Sequence, residues 1–428
     1  MKTNNHTKER VCYILEETFN YLITILVSGS YLAKVTSTLG FSDGLTAILS
    51  SLSSLCCSAQ LLSVAIFRRG KVKRRITAMF LLNQILFVSL YLTPFFPIPH
   101  GVRTVLFICF MLLGYFCLNV MLPPRINWYM SYVDDRKRGA FTAKKEAISL
   151  VSGIVFQFCM GAVIDHWEAK GNIRAALISC AIVISLLSVS HTLSLLFTQD
   201  ADVPEHKRAV RQEFKAILSH TSIRPILVLS ALWAISHSIS IPFYGTYTIK
   251  ELGFSMSFIA FLSLLGATSR ILASMFLGKY ADKYSFAKML LLCYGIVALG
   301  FAAAAFARPS NGHILYPIYS VLNAISMGGI NSGEINLVFD YVSPQNRTAA
   351  LSVRNTIYGV TGFLTATAVT PLLNHIQNNG NQILGIPLYA QQVLSIIACI
   401  CTILTAIYLR QIILKLPKNN QVKETDAI

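Results

Sequence analysis

Arg270 is the ionic residue most deeply placed in an apolar run, about the fourteenth residue of the stretch 257–279. A guanidinium cannot shed its proton. At the centre of a bilayer a charge costs at least about 2.5–3.5 kcal/mol, so such a residue faces a cavity or a partner. One chemistry for Arg270 is the bidentate capture of a carboxylate or phosphate on a bound solute. The other is a structural ion pair or a contact with helix carbonyls. His237 lies one turn after Trp233. Its imidazole either shuttles a proton near neutrality or lines a polar cavity. Glu17 and Glu146 are carboxylates in otherwise apolar surroundings and, with His237, are the candidates for proton coupling; Glu16 stands beside Glu17. Adjacent helical positions diverge by about 100°, so at most one of Glu16 and Glu17 faces a cavity squarely; the alternative is a pair snorkelling to the interface.

These residues need elements to hold them, and composition says which. The chain is 54% hydrophobic and 13% charged, with a mean hydropathy of +0.57. A soluble domain carries about 25% charged residues, so this apolar surface calls for a non-aqueous solvent. The ten cysteines lie in apolar runs without metal-site spacing and read as packing residues. No cleavable leader is expected, because the N-terminus is polar and Glu16 and Glu17 interrupt the first apolar run.

A span needs about 20 mostly apolar residues. Twelve stretches qualify: 12–34, 44–67, 76–97, 103–128, 146–165, 173–197, 225–248, 257–279, 287–307, 313–338, 351–374 and 390–412. No strand-like alternation is sustained, and helices are then the spanning form available. Lys and Arg crowd alternate connections, such as Arg68, Arg69, Lys71, Lys73, Arg74 and Arg75, or Arg136, Lys137, Arg138, Lys144 and Lys145. The intervening loops hold only Lys34, Arg103, Lys170, Arg174, Lys250 and Arg308. This positive-inside pattern predicts that both termini are cytoplasmic. It also accounts for the formal charge of +17 without nucleic acid.

The chain repeats itself. RINWYMSYVDDRKRG at 125–139 returns as EINLVFDYVSPQNRT at 334–348, with Ile126, Asn127, Tyr132, Val133 and Arg138 matched 209 positions later by Ile335, Asn336, Tyr341, Val342 and Arg347. LGFS occurs at 39–42 and 252–255, and Gly153 matches Gly362. The layout is therefore 1–198 as an N-terminal six-helix bundle, 199–222 as a central cytoplasmic loop, 223–415 as a C-terminal six-helix bundle and 416–428 as a cytoplasmic tail. Parallel six-helix repeats describe one large transporter architecture.

With these landmarks the sequence resembles the major facilitator superfamily over nearly its whole length. The second half offers GKYADKYSFAK, in which Gly278, Asp282 and Lys283 fit the family's loop motif and Ser285 replaces a glycine. The first half departs from it: in AIFRRGKVKRR, Ala65 and Arg69 stand where glycine and aspartate are usual. The family's Gly-Pro antiporter stretch in span five and its Arg-x-x-x-Gln-Gly motif in span four are missing. The resemblance implies an all-α integral membrane protein of two pseudo-symmetric six-helix bundles, with the third span of each triplet peripheral and eight helices lining a central cavity. Polar residues segregate accordingly. The cores of 76–97, 287–307 and 390–408 carry no Asp, Glu, Lys, Arg or His, and of these types 175–197 carries only His191.

Cavity candidates are Arg270, His237, Trp233, Asn20, Asn119, Asn323, Asn331 and Tyr358. Tyr244 and Tyr247 read as interface anchors. Arg125 and Glu334 occupy equivalent positions near the inner ends of spans four and ten. They form an inner gate across the pseudo-two-fold, or each pairs within its own half, for example Arg125 with Asp134 or Asp135. Asp282 with Arg347 is a second locking candidate, and Arg138 and Arg354 complete the gating set. The expected function is movement of a small solute, such as an organic anion or sugar, across the cytoplasmic membrane by alternating access. A proton-coupled exporter of drugs or lipophiles is the alternative. No Walker GxxxxGK[ST], HExxH or GxSxG occurs, so neither an ATPase of that type nor a membrane enzyme is expected. A transport-inactive sensor would need a large extra domain. No cofactor beyond an H+ or Na+ gradient is expected; the expected partners are the lipid bilayer and the small-molecule substrate, with the chain itself a monomer.

Overall fold

The computed structural model of the chain describes residues 6–62, 66, 72–130, 132–133, 138–200, 223–341, 347–383 and 386–416. The helices are α1 (Thr7–Leu26), α2 (Gly29–Thr38), α3 (Asp43–Cys56), α4 (Val72–Leu92), α5 (His100–Met130), α6 (Arg138–Ala169) and α7 (Ile173–Phe197). They continue with α8 (Arg224–Ser238), α9 (Met256–Lys283), α10 (Phe286–Phe306), α11 (Gly312–Tyr341), α12 (Arg347–Asn378) and α13 (Ala390–Gln411). The only strands among the described residues form a short hairpin, β1 (Gln382–Ile383) with β2 (Ile386–Pro387).

The polarity of the surface is inverted. On α7 the side chains of Ile182, Leu186, Val189, Leu193 and Phe197 are exposed, while His191 and Ser194 are buried. An apolar stripe at helical spacing turned outward is what lipid contact demands. Among the described residues nine helices are long and apolar enough to cross a membrane, or ten if α1 and α2 form one bent span. Two of the twelve expected spans differ. In 44–67 regular helix ends at Cys56 and a 3-10 turn, Cys57–Leu62, follows. Over 313–338, α11 is 30 residues long. That is about 45 Å, enough to span, but Asn323, Asn331, Glu334 and Asn336 lower its hydropathy.

The first helix of each half is broken. Between α1 and α2 the bend is 43°, and Gly29 takes φ +53°, a region open to glycine. The carbonyls freed there are satisfied by tyrosine hydroxyls: Tyr91 donates to Leu26 O and Tyr115 to Val27 O at 3.1 Å. After α8 the chain passes through a 3-10 turn, Ile241–Phe243, and a π turn, Tyr247–Glu251. The Tyr244 and Tyr247 hydroxyls bond Ser395 Oγ and Ala307 O. Both rings are buried, which corrects their expected role as interface anchors. The broken helix turns them inward, where each hydroxyl finds a partner.

By its contacts the chain divides into two compact units, each discontinuous in sequence. Unit 1 comprises Met1–Ser42, Ala59–Lys207 and Phe254–Phe261; unit 2 comprises Asp43–Ser58, Arg208–Gly253 and Leu262–Ile428. Within unit 1, Asp165 of α6 caps the start of α9, accepting from Met256 N (2.9 Å), Ser257 N (2.9 Å) and Ser257 Oγ (2.6 Å). Within unit 2, α3 starts against Asn374 of α12, whose Oδ1 lies 2.8 Å from where a Cβ on Gly44 would sit. Asp165 and Asn374 are related by the same 209-residue offset as the doubled phrase. Asp43 opens α3 and is held by Lys250 Nζ at 2.5 Å and Gln377 Nε2 at 2.8 Å.

Farther along, α3 and α12 cross at Gly359. A Cβ there would lie 2.1 Å from the carbonyl oxygen of Ser54 and 3.0 Å from its carbon. Backbone cannot rotate aside as a side chain can. Gly359→Ala is therefore expected to lower stability by about 1–3 kcal/mol, read from thermal unfolding of the detergent-purified protein. Gly295 of α10 has nothing within 4 Å of a built Cβ, so Gly295→Ala is the control and should be neutral or stabilising by up to about 1 kcal/mol. Equal melting of the two variants would disprove the crossing constraint.

Candidate functional site

Each unit contains a buried ionic cluster. In unit 1, Glu16 and Glu17 on α1 both reach Arg125 on α5. Arg125 Nη1 donates to Glu16 Oε1 at 3.0 Å and Nη2 to Glu17 Oε2 at 2.7 Å. The pair therefore neither snorkels nor splits between cavity and lipid. A guanidinium fork offers two parallel donors, and its two ends serve the two adjacent positions. Lys145 Nζ of α6 lies 3.2 Å from Glu17 Oε1. His191 of α7 joins from the other side, with Nε2 2.9 Å from Glu16 Oε1 and Nδ1 2.7 Å from Gln84 Nε2 of α4. The Phe80 ring packs against two members of this cluster, with its centroid 4.6 Å from that of His191 and 5.6 Å from Arg125 Cζ.

In unit 2 the charges are reversed. Glu334 of α11 pairs with Arg354 of α12 and accepts from Tyr294 Oη at 3.0 Å. Arg354 also bonds Ser230 Oγ (3.3 Å) and Asn355 Oδ1 (3.1 Å) and covers the Tyr358 ring at 5.3 Å. Tyr358 Oη lies 3.4 Å from His237 Nδ1, and Trp233 stands between His237 and Tyr294 with centroid separations of 5.4 and 5.2 Å. Trp233 is buried, whereas His237, Arg354 and Tyr358 remain partly exposed. The structure thus assembles Trp233, His237, Glu334, Arg354 and Tyr358 from three helices.

Arg125 and Glu334 are each held inside their own unit. Arg125 takes Glu16 and Glu17; Asp134 and Asp135, named as its candidate partners, lie outside the described residues. The side chains of Arg138, Asp282 and Arg347 lie outside the described set as well.

Arg270 is exposed on α9 and has no ion pair or hydrogen bond from its side chain among the described residues. At 100° per residue, the exposed Ile271, Leu272, Met275 and Phe276 form one apolar arc. Arg270 projects from the opposite side with Ser263, Gly266, Ala267 and Ser274. Gly328 of α11 packs closely there, a Cβ on it falling 3.1 Å from Arg270 O. The remaining candidates do not converge. Asn119 is tied to Gln60 (3.2 Å) and to Tyr115 O (3.0 Å). Asn20 is half-buried, and Asn331 and Glu146 are exposed. Asn323 Oδ1 is buried without a partner among the described residues.

Sequence reasoning missed three parts of these sites. Gln84 gave no signal at all. Asp165 and Asp43 sit at helix ends where an aspartate is unremarkable. His191 did give one, as the sole residue among Asp, Glu, Lys, Arg and His in the apolar stretch 175–197. Among the described residues no cluster of His, Cys, Asp and Glu could hold a metal ion.

The family model of the Major Facilitator Superfamily matches residues 14–366. No curated protein matches the chain in sequence. Among solved structures, a variant of the nucleoside transporter NupG superposes with a TM-score of 0.73 at 13% identity, covering 94% of this chain and 99% of that one. The D-xylose-proton symporter gives 0.69 at 12% identity, covering 97% and 98%. A bacterial homolog to the human lysosomal transporter Spinster, inward-facing and unoccupied, gives 0.67 at 15% identity, covering 96% of each chain. At these identities the likeness is one of fold.

Proposed function

Because the chain belongs to the major facilitator superfamily and is a membrane transporter, we propose that it moves a small organic anion across the cytoplasmic membrane by alternating access. The observation that carries this reading is the contrast among the arginines within the helices. Arg125 and Arg354 are each neutralised by carboxylates. Arg270 is not, and it lies on the small-residue face of α9, opposite the arc suited to lipid. A carboxylate or phosphate on the solute supplies the missing counter-charge. The Lys and Arg bias of the loops supports an orientation with both termini cytoplasmic.

A proton gradient is the proposed drive. The supporting feature is the unit 1 cluster, in which two carboxylates share Arg125 inside the protein. Protonating either one changes the local charge and the grip of the arginine. The partly exposed Arg354, Asn355, Tyr358 and His237 present a second polar surface for the solute.

The test uses proteoliposomes holding a lumenal pH dye and a panel of organic anions, sugars, nucleosides and lipophilic cations. Some anions should be taken up with a proton flux, and Arg270→Gln should lower their uptake by tenfold or more, about 1.4 kcal/mol, leaving neutral solutes untouched. Anion uptake unchanged in Arg270→Gln would sink the cargo reading. Uptake indifferent to collapse of the pH gradient would sink the proton drive.

A further inference from the structure

We propose that Glu16, rather than Glu17, is the carboxylate that takes up the coupled proton, on its donor-free Oε2, and that His191 is a positioning residue that holds Glu16 by Oε1 and sets the pH at which that proton is taken. The inference rests on the proton drive proposed above.

The oxygens of the two glutamates are engaged differently. Glu17 has both in use, Oε2 by Arg125 Nη2 at 2.7 Å and Oε1 by Lys145 Nζ at 3.2 Å. Glu16 has two donors on one oxygen: Oε1 receives Arg125 Nη1 at 3.0 Å and His191 Nε2 at 2.9 Å. Its Oε2 is buried and has no hydrogen-bond partner among the described residues. Each carboxylate oxygen carries two lone pairs. Of the four oxygens, Glu16 Oε2 alone accepts from no donor among the described residues, so a proton there displaces no hydrogen bond.

The tautomer of His191 follows from its neighbours. Glu16 Oε1, 2.9 Å from Nε2, belongs to an ionised carboxylate and can only accept, so Nε2 carries a proton. On the other side of the ring Nδ1 accepts from Gln84 Nε2 at 2.7 Å. The groups in contact with His191 are Glu16 from α1 and Gln84 and Phe80 from α4; Arg125 from α5 shares Glu16 Oε1, and Tyr13 of α1 and Tyr129 of α5 lie close enough to interact with that carboxylate. The Nε2–H holds Glu16 by one oxygen. In the coupling step a proton from the more acidic side forms an O–H bond at Oε2 and removes the charge of Glu16. Arg125 keeps Glu17. Release to the other side breaks that O–H bond and restores the carboxylate, and nothing is oxidised or reduced.

A hydrogen bond to a carboxylate favours its charged form. Without the His191 donor, Glu16 should hold its proton to higher pH. The experiment is an infrared titration of the full chain in detergent micelles, following the carboxylic C=O band that appears on acidification, with the proton itself as probe. One band should be lost in Glu16→Gln and kept in Glu17→Gln. In His191→Leu its half-rise should move up by about one pH unit, tenfold in proton affinity. His191→Gln, which can place an N–H at the same point, should return it toward the native value. Should His191→Leu fold poorly, Gln84→Leu frees the tautomer and should move the half-rise in the same direction. An unmoved half-rise in the leucine variants overturns the proposal, as does loss of the band in Glu17→Gln alone, which would leave the proton drive standing. A titration with no band assignable to either glutamate overturns both.

Discussion

Arg125→Ala is expected to destabilise the folded chain by about 3–5 kcal/mol and to abolish transport. Removing one partner of a buried ionic cluster strands the rest as uncompensated charge. Here the arginine is 2% exposed, Glu16 0% and Glu17 26%, so solvent can rescue Glu17 in part and Glu16 not at all. Arg125→Lys should recover little. An ammonium on a flexible stem is a point charge and cannot serve two carboxylates with the two ends of a fork. Neutralising all members together, as Glu16→Gln, Glu17→Gln and Arg125→Met, should restore most of the stability but not the transport. Thermal unfolding in detergent and uptake in proteoliposomes separate the two effects. A loss of under about 1 kcal/mol in Arg125→Ala, the range of an exposed pair, would show that the cluster is hydrated and the argument wrong.

The second large effect concerns Glu334 and Arg354. Glu334→Arg alone and Arg354→Glu alone each set like charges together where the Glu334 carboxylate is 2% and the Arg354 side chain 13% exposed. Each is expected to cost about 3 kcal/mol or more. The double exchange should recover a substantial part, short of the native value because Tyr294 Oη donates to the carboxylate where it now stands. The contrasting double exchange, Arg125→Glu with Glu334→Arg, should be worse than either single change, since it breaks one cluster in each unit. That comparison separates the two meanings of the opposite charges at 125 and 334. If they meet each other at an inner gate, the contrasting exchange recovers transport and the Glu334–Arg354 exchange does not. The hydrogen bonds favour the partners inside each unit.

The doubled phrase shows how far the sequence carries. It announced the repeat, placed Arg125 and Glu334 at equivalent positions and made their mismatch conspicuous. It could not say that Arg125 takes Glu16 and Glu17, which are more than a hundred residues away, or that Glu334 takes Arg354. His191 was visible as an exception in an apolar span, yet its use depends on Gln84, whose type and position gave no warning. Arg270 was picked out by depth alone. Which side of α9 it occupies emerged only when the exposure of Ile271, Leu272, Met275 and Phe276 defined the opposite arc. Nothing in the chain hinted that segments 43–58 and 254–261 would each pack with the unit built mainly from the other half.

The sequence alone determined that this chain is helical, that it lies in a membrane and that it is built twice over. Those properties follow from apolar run length and from the need of every backbone group in lipid to find its partner within its own helix, and both are local. The tertiary structure decided which carboxylate neutralises which arginine, which oxygen of Glu16 is left without a donor, and which glycine lets two helices touch. Those depend on distances of a few ångströms between helices far apart in the chain, and sequence spacing does not encode them.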